Sequence, residues 1–190
     1  PIAFSIDGNT PEVVIRLSDK PEKGKISVLK RGEMFSSVEV SEDRYVPVYS
    51  KKGLKGAEFE VTAAEDIYTA DGTLRIKAGE TADRIITVAD GTAVSKELYP
   101  GKYLLREISA PEGYILNAEP REITVVSGVT SAEIFNERKK QEFKLKKELE
   151  TDQKFGIGFN GEIFNIRFGL FSKTELTALD GSIVPADGLI

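Results

Sequence analysis

The stretch Tyr103-Leu-Leu-Arg-Glu-Ile-Ser-Ala-Pro-Glu-Gly-Tyr114 sets one carboxylate, Glu107, inside an apolar strand that stops at a Pro-Glu-Gly turn. An ionised carboxylate facing a dry core is costly. A fold that accepts this strand must pair Glu107, keep it protonated or turn it to the outer face. Two other polar residues have similar apolar settings: Lys30 closes Ile26-Ser-Val-Leu-Lys30, and Asn136 follows Ile134-Phe135. A lysine, a glutamate and an asparagine on facing strands are the ingredients of an amide bond between the lysine and asparagine side chains. Such a bond locks a chain covalently to itself.

The pattern around these residues is β throughout. Alternating or β-branched-rich runs fall at 25–30, 57–62, 84–88, 103–108, 122–126 and 130–135. Turn signals separate them: Asp71-Gly72, Asp90-Gly91, Pro100-Gly101, Glu112-Gly113 and Ser127-Gly128. Short strands at this spacing predict a sandwich or barrel. Residues 139–150 are charged and admit a helix, but Phe143 and Leu145 alternate with charged residues and predict a strand over 143–147.

The chain repeats itself. Phe59-Glu-Val-Thr-Ala-Ala-Glu-Asp-Ile, with Asp71-Gly72-Thr beyond it, matches Phe168-Gly-Leu-Phe-Ser-Lys-Thr-Glu-Leu with Asp180-Gly181-Ser, at a constant offset of 109. Further out, Ile26-x-Val28-x-Lys30 matches Phe143-x-Leu145-x-Lys147, and Asp19 matches Asn136, both at an offset of 117. This parses the chain into the last hairpin of a preceding unit (1–19), a whole unit (20–139) and the opening of a following one (140–190). Asp19 and Lys147 are then the equivalents of Asn136 and Lys30 in neighbouring units. They are expected to be unbonded, because their partners lie outside this stretch.

Composition narrows the function. A length of 190 residues allows one or two domains, with 40% hydrophobic and 30% charged residues in an ordinary globular balance. The formal net charge of −5 argues against a general binder of nucleic acid or anionic membrane. No apolar run approaches the length that spans a bilayer. Neither an initiator Met nor a signal peptide is visible, so a fragment or mature segment is expected. There is no Cys and no His, which removes thiol chemistry, disulfides, the usual zinc sites and histidine acid–base catalysis. Gly156-Ile-Gly158-Phe-Asn-Gly161 lacks the strand–loop–helix setting and the following Lys-Ser/Thr of a phosphate loop, and reads as a hairpin. No metal, cofactor or enzymatic cleft is expected.

At these residues the sequence resembles the Cna B-type (SpaA-like, prealbumin-like) domains of Gram-positive surface proteins and pilins. Tyr103-x-Leu105-x-Glu107-x-x-Ala110-Pro111-x-Gly113-Tyr114 looks like the family's E-box. Leu54-Lys-Gly-Ala-Glu-Phe59 resembles its second-strand motif, Gly24-Lys-Ile-Ser-Val-Leu-Lys30 its lysine strand and Phe135-Asn136 its closing strand. The resemblance implies an all-β, Greek-key, immunoglobulin-like sandwich of roughly 100 residues, in tandem repeats. It also implies an intramolecular Lys–Asn isopeptide bond promoted by the E-box glutamate. Carried over, Lys30 is the nucleophile, Asn136 the electrophile and Glu107 the proton shuttle. The implied setting is a cell-surface or cell-wall stalk built of neighbouring repeat domains.

Side-chain parity is consistent with that chemistry. Residues two apart on a strand share a face, so Lys30 lies with Val28, Glu107 with Leu105 and Asn136 with Ile134. A lysine attacks only when neutral, and burial disfavours the charged form of amine and acid alike. A plain salt bridge, or two solvated side chains at a sheet edge, is the other reading of Lys30 and Glu107, and a turn or capping role that of Asn136. One departure from the family is the long first connection, 31–52, which offers an extra strand or a surface leaning on the sandwich. Its Phe35, Tyr45 and Tyr49 are the best candidate contacts for a host or matrix ligand, should the chain be an adhesin.

Overall fold

Alternation of covered and open positions builds the sandwich. The computed structural model describes residues 22–159, 161 and 166–190, and the expectations placed on 1–19, Asp19 among them, lie outside it. In β1 (Gly24–Ser41) every second residue from Gly24 to Gly32 is buried, with Ile26, Val28 and Lys30 between them. The same period of two buries Tyr103, Leu105 and Glu107 on β8 (Gly101–Ser109) and Ala132 and Asn136 on β10 (Gly128–Asn136). Strands with one buried face must stack against another such face. Two sheets do so here.

The first sheet has the order β10-β1-β2, with β2 at Arg44–Gly53 and β7 (Thr92–Val94) also on β1. The second runs β6-β3-β8-β9, with β3 at Glu58–Ala63, β6 at Thr81–Ile86 and β9 at Arg121–Val125. Ile26 and Val28 from the first sheet meet Phe59, Val61, Tyr103 and Leu105 from the second in one core. Burying each such aliphatic or aromatic side chain contributes about 1.5–3 kcal/mol against leaving it in water. The first and last strands of the unit, β1 and β10, pair in parallel from Gly24↔Gly128 to Gly32↔Asn136. All other pairings are antiparallel. Among the described residues the architecture is all-β.

The long first connection is an extra strand. β1 runs 18 residues, beyond the end of β10, and pairs with β2 from Arg31↔Gly53 to Ser41↔Arg44. The result is a two-stranded hairpin that projects past the sandwich. A small hairpin near the end of the described chain, β11 (Leu176–Thr177) with β12 (Ile183–Val184), lies against it.

This small hairpin copies β4 (Ile67–Tyr68) and β5 (Leu74–Ile76), as the repeat in the sequence implies. Thr69 N–H donates to Thr73 O at 3.0 Å, and Ala178 N–H to Ser182 O at 2.9 Å. Gly72 N–H reaches Thr69 O at 2.8 Å, and Gly181 N–H reaches Ala178 O at 3.1 Å. Asp71 and Asp180 each accept from the backbone two residues on. The following turns match as well, one residue shorter in the second copy: Gly79 N–H bonds Ala63 O and Asp187 N–H bonds Ser172 O.

One expected strand is absent. Residues 143–147 form no strand, and Phe143 and Leu145 are exposed. The alternation is present, but a strand also needs a neighbour to take its N–H and C=O groups. Among the described residues none pairs with this stretch. A tight loop closes at 152–157, where Asp152 and Ile157 exchange backbone hydrogen bonds at 3.0 Å; the hairpin expected over 156–161 lies partly outside the described residues. Among the described residues no helix is long and apolar enough to cross a membrane.

Candidate cross-linking site

Lys30, Glu107 and Asn136 meet at one end of the core. Lys30 and Asn136 come from the paired strands β1 and β10, while Glu107 crosses from β8 in the facing sheet. Their relative exposures are 0%, 2% and 1%, so the solvated reading of the pair fails. Lys30 Nζ donates to Asn136 Oδ1 at 2.5 Å and to Glu107 Oε2 at 3.1 Å. Asn136 Nδ2 donates to Glu107 Oε1 at 2.8 Å. The three side chains thus close a ring of hydrogen bonds in which each touches the other two.

The backbone around Lys30 is fixed on both edges. Its N–H donates to Gly91 O at 2.8 Å and its C=O accepts from Leu54 N–H at 2.9 Å. Gly91 has φ +84°, and a Cβ there would fall 2.3 Å from Lys30 O, so the Asp90-Gly91 turn can approach only as glycine. Gly32 leaves room of another kind. A Cβ on it would lie 2.6 Å from both Leu54 Cδ1 and Tyr114 Cε1. Tyr114, the last residue of the Glu107 motif, closes over this end and donates its hydroxyl to Glu33 O at 2.7 Å.

Burial pushes the Lys30 amine below its ordinary value of 10.5, while the hydrogen bond and the charge of Glu107 pull the other way. The Phe59 ring, centred 5.5 Å from Nζ, adds an apolar wall with a weakly attractive face. Glu107 Oε2 also accepts from the backbone N–H of Asn117 at 3.1 Å. The carboxylate therefore serves three donors.

Chemically, the amine stands on the carbonyl side of the Asn136 amide and the carboxylate on its amino side. That is the order acyl transfer needs: nucleophile at the carbonyl, proton carrier at the leaving nitrogen. A cavity of about 410 Å³, lined by Glu107, Asn117, Ile134 and Phe135 among others, lies directly against the carboxylate. Among the described residues no group of His, Cys, Asp or Glu is arranged to hold a metal ion.

Residues 46–140, half of the chain, match the family described as SpaA, a prealbumin-like fold domain. The chain belongs to this family. A curated relative, the trypsin-resistant surface T6 protein of Streptococcus pyogenes serotype M6, is 29% identical over 161 residues. That match takes in 84% of this chain but only 27% of the relative's length. Among solved structures, the T6 backbone pilin of serotype M6 S. pyogenes is 28% identical, covering 55% of this chain and 16% of its own, with a TM-score of 0.31. GBS52, the minor pilin of Streptococcus agalactiae, is 24% identical, covering 66% and 49%, with a TM-score of 0.42.

The remaining candidates fall elsewhere. Lys147 is exposed in the extended segment after the sandwich, far from any such ring of partners. Tyr49 is 51% exposed on the hairpin, its ring 5.8 Å from that of Phe35 and 5.5 Å from the Arg138 guanidinium. Tyr45 is half-buried, with its N–H donating to Leu189 O at 2.7 Å. Sequence reasoning missed Asn117, which acts through its backbone and leaves no side-chain signature. It also missed Gly32, for which the glycine two places after the lysine was the available signal.

Proposed function

We propose that this chain is a structural segment of a Gram-positive cell-surface shaft, stabilised by a self-formed isopeptide bond between Lys30 and Asn136. The observation that carries the reading is the closed, buried ring of Lys30, Glu107 and Asn136. A plain salt bridge explains the lysine and glutamate but gives no reason for a carboxamide wedged between them. The shaft role is supported by family membership and by the surface and pilin proteins that the chain resembles. Parsing into units 1–19, 20–139 and 140–190 fits a tandem array, with neighbouring repeats of the same polypeptide as the first partners.

The reaction balances without a cofactor. Neutral Lys30 Nζ attacks the side-chain carbonyl carbon of Asn136. Glu107 hydrogen-bonds the amide, accepts a proton from the attacking amine and delivers it to Nδ2, which leaves as ammonia. The cavity beside Glu107 gives the ammonia a way out. Fixed geometry replaces a bimolecular encounter. Each chain reacts once, so the protein is its own substrate.

Intact mass tests this. The wild type should be lighter than its sequence by one ammonia, and Lys30→Ala, Asn136→Ala and Glu107→Ala should each have the mass their sequences dictate. Loss of ammonia in the Glu107 variant would remove that residue from the mechanism. A full-mass wild type would remove the bond.

The adhesin reading keeps one supporting observation: Glu33, Tyr49, Arg138, Lys139 and Lys140 line a cavity of about 560 Å³ at the root of the hairpin. Binding of a matrix protein that is lost with Tyr49→Ala would favour it.

A further inference from the structure

The part of the β1–β2 hairpin that runs past the end of β10 carries none of the sandwich core and no residue of the Lys30 ring. One edge of β1 there has no strand beside it. The 178–189 segment fills that edge. Leu179 N–H donates to Phe35 O at 3.1 Å and Asp180 N–H to Ser36 O at 3.2 Å. Val38 faces Pro47 across the hairpin, a partner with no N–H, and turns its own N–H outward to Ser182 Oγ at 2.8 Å. On the other strand, Tyr45 N–H bonds Leu189 O, and a Cβ on Gly188 would fall 2.9 Å from Pro185 O and 3.1 Å from the Tyr45 ring.

The same fitting occurs a second time without an occupant. The β4–β5 turn repeats the β11–β12 turn residue by residue, so Ala70, Asp71 and Thr73 stand where Leu179, Asp180 and Ser182 stand. Thr73 N–H donates to Asp71 Oδ1 as Ser182 N–H donates to Asp180 Oδ1. Yet no hairpin edge meets the N–H groups of Ala70 and Asp71 among the described residues. The two turns share the bond from the backbone to the aspartate; they differ in their dock and in the Thr69 hydroxyl, which donates to Asp71 and has no counterpart at Ala178.

We infer that the β1–β2 hairpin is a coupling arm between repeat units: its free edge takes the Asp-Gly turn of the unit that follows. The partner is thus a second β-hairpin of the same polypeptide, held by main-chain hydrogen bonds. This assigns Tyr45 to a joint between units and sets the orientation of one unit on the next. It rests on the tandem-unit reading above but not on the isopeptide bond, since no residue of the Lys30 ring takes part.

The undocked turn is a built-in control for a hydrogen-exchange experiment on the full chain. In the wild type, Leu179 and Asp180 amides should exchange at least about tenfold more slowly than Ala70 and Asp71. Replacing residues 35–49 by Asn-Gly, to join Met34 to its cross-strand neighbour Ser50, should erase that difference and leave Ala70 and Asp71 unchanged. As a milder variant, Ser182→Ala should speed exchange at Val38 while Thr73→Ala leaves it alone. Equal exchange at the two turns in the wild type would overturn the proposal. So would protection of Leu179 and Asp180 that survives loss of the arm, or a Val38 amide indifferent to Ser182→Ala. The mass test reads the Lys30 bond separately, so either idea can fail alone.

Discussion

Residues 26–30 and 143–147 carry the same pattern, apolar-x-apolar-x-lysine, and end in opposite conditions. Lys30 is sealed in a strand between β10 on one edge and β7 and β2 on the other. Lys147 is exposed, and among the described residues no strand runs through or pairs with its segment. The alternating residues supply a face, but they do not supply the neighbours that cover it or the glutamate opposite. The turn copies behave differently. Asp71-Gly72 and Asp180-Gly181 fold alike, because each turn makes its own hydrogen bonds within five residues. What is satisfied locally repeats wherever the sequence repeats. What needs partners far along the chain appears only where they are supplied.

The largest expected effect tests what Lys30 gains from its setting. Asn136→Ala would prevent the proposed closure between residues 106 apart, and cross-linking a loop of that length is worth about 4–5 kcal/mol in chain-entropy terms. The variant should still fold on its unchanged core and melt well below the wild type in thermal denaturation. Equal melting temperatures, with the wild type confirmed as bonded, would put Lys30 on the same footing as Lys147.

The same variant leaves Lys30 buried as a free amine. Its folded pKa lies below 10.5, so between the lowered value and 10.5 the unfolded chain binds more protons than the folded one. The Lys30 contribution to stability should therefore rise with pH across that window and be flat above 10.5. Comparing Asn136→Ala with Asn136→Ala/Lys30→Met in urea titrations at several pH values isolates it. A contribution that falls as pH rises would contradict the burial argument.

Lys147 should show almost nothing. Lys147→Ala is expected within about 0.5 kcal/mol of wild type, as for an ordinary surface change, with the ammonia loss intact. An amine-acylating reagent should label Lys147 and spare Lys30, which peptide mapping would read.

The smallest effect concerns the turns. Hydrogen bonds from Thr69 and Thr73 hold Asp71 down at about 2, and those from Ser182 also hold Asp180 below its ordinary value. A depressed carboxylate stabilises above its unfolded value of 3.8 and loses that contribution as pH falls through its folded value. Acid should loosen both turns, as followed by their amide shifts. A turn whose shifts ignore acid would mean that its aspartate hydrogen bonds do not hold it.

Much of this was legible beforehand. The period of two put Lys30, Glu107 and Asn136 on the covered faces of their strands, and the Asp-Gly pairs marked the turns. Parity names a face, however, and not what lies across from it. The carboxylate's third donor is a backbone N–H at Asn117, invisible in a list of side chains. The arm's destination was equally hidden, since Val38 and Ser182 are 144 positions apart and their joint is mostly main chain. The strand expected at 143–147 shows the converse: a correct local pattern with no ladder to join.

The parallel pairing of β1 and β10 has a mechanical consequence. The chain enters the unit at Gly24 and leaves it at Asn136, at opposite ends of two neighbouring strands. Tension along the polypeptide therefore slides the strands past each other, loading their hydrogen bonds together in shear. With Lys30 joined to Asn136, that load runs along β1 from Gly24 to Lys30, crosses the side-chain amide and leaves. The loop between the two residues carries none of it. Under load such a unit would behave as a short covalent link of fixed length, with the rest of the sandwich hanging slack around it.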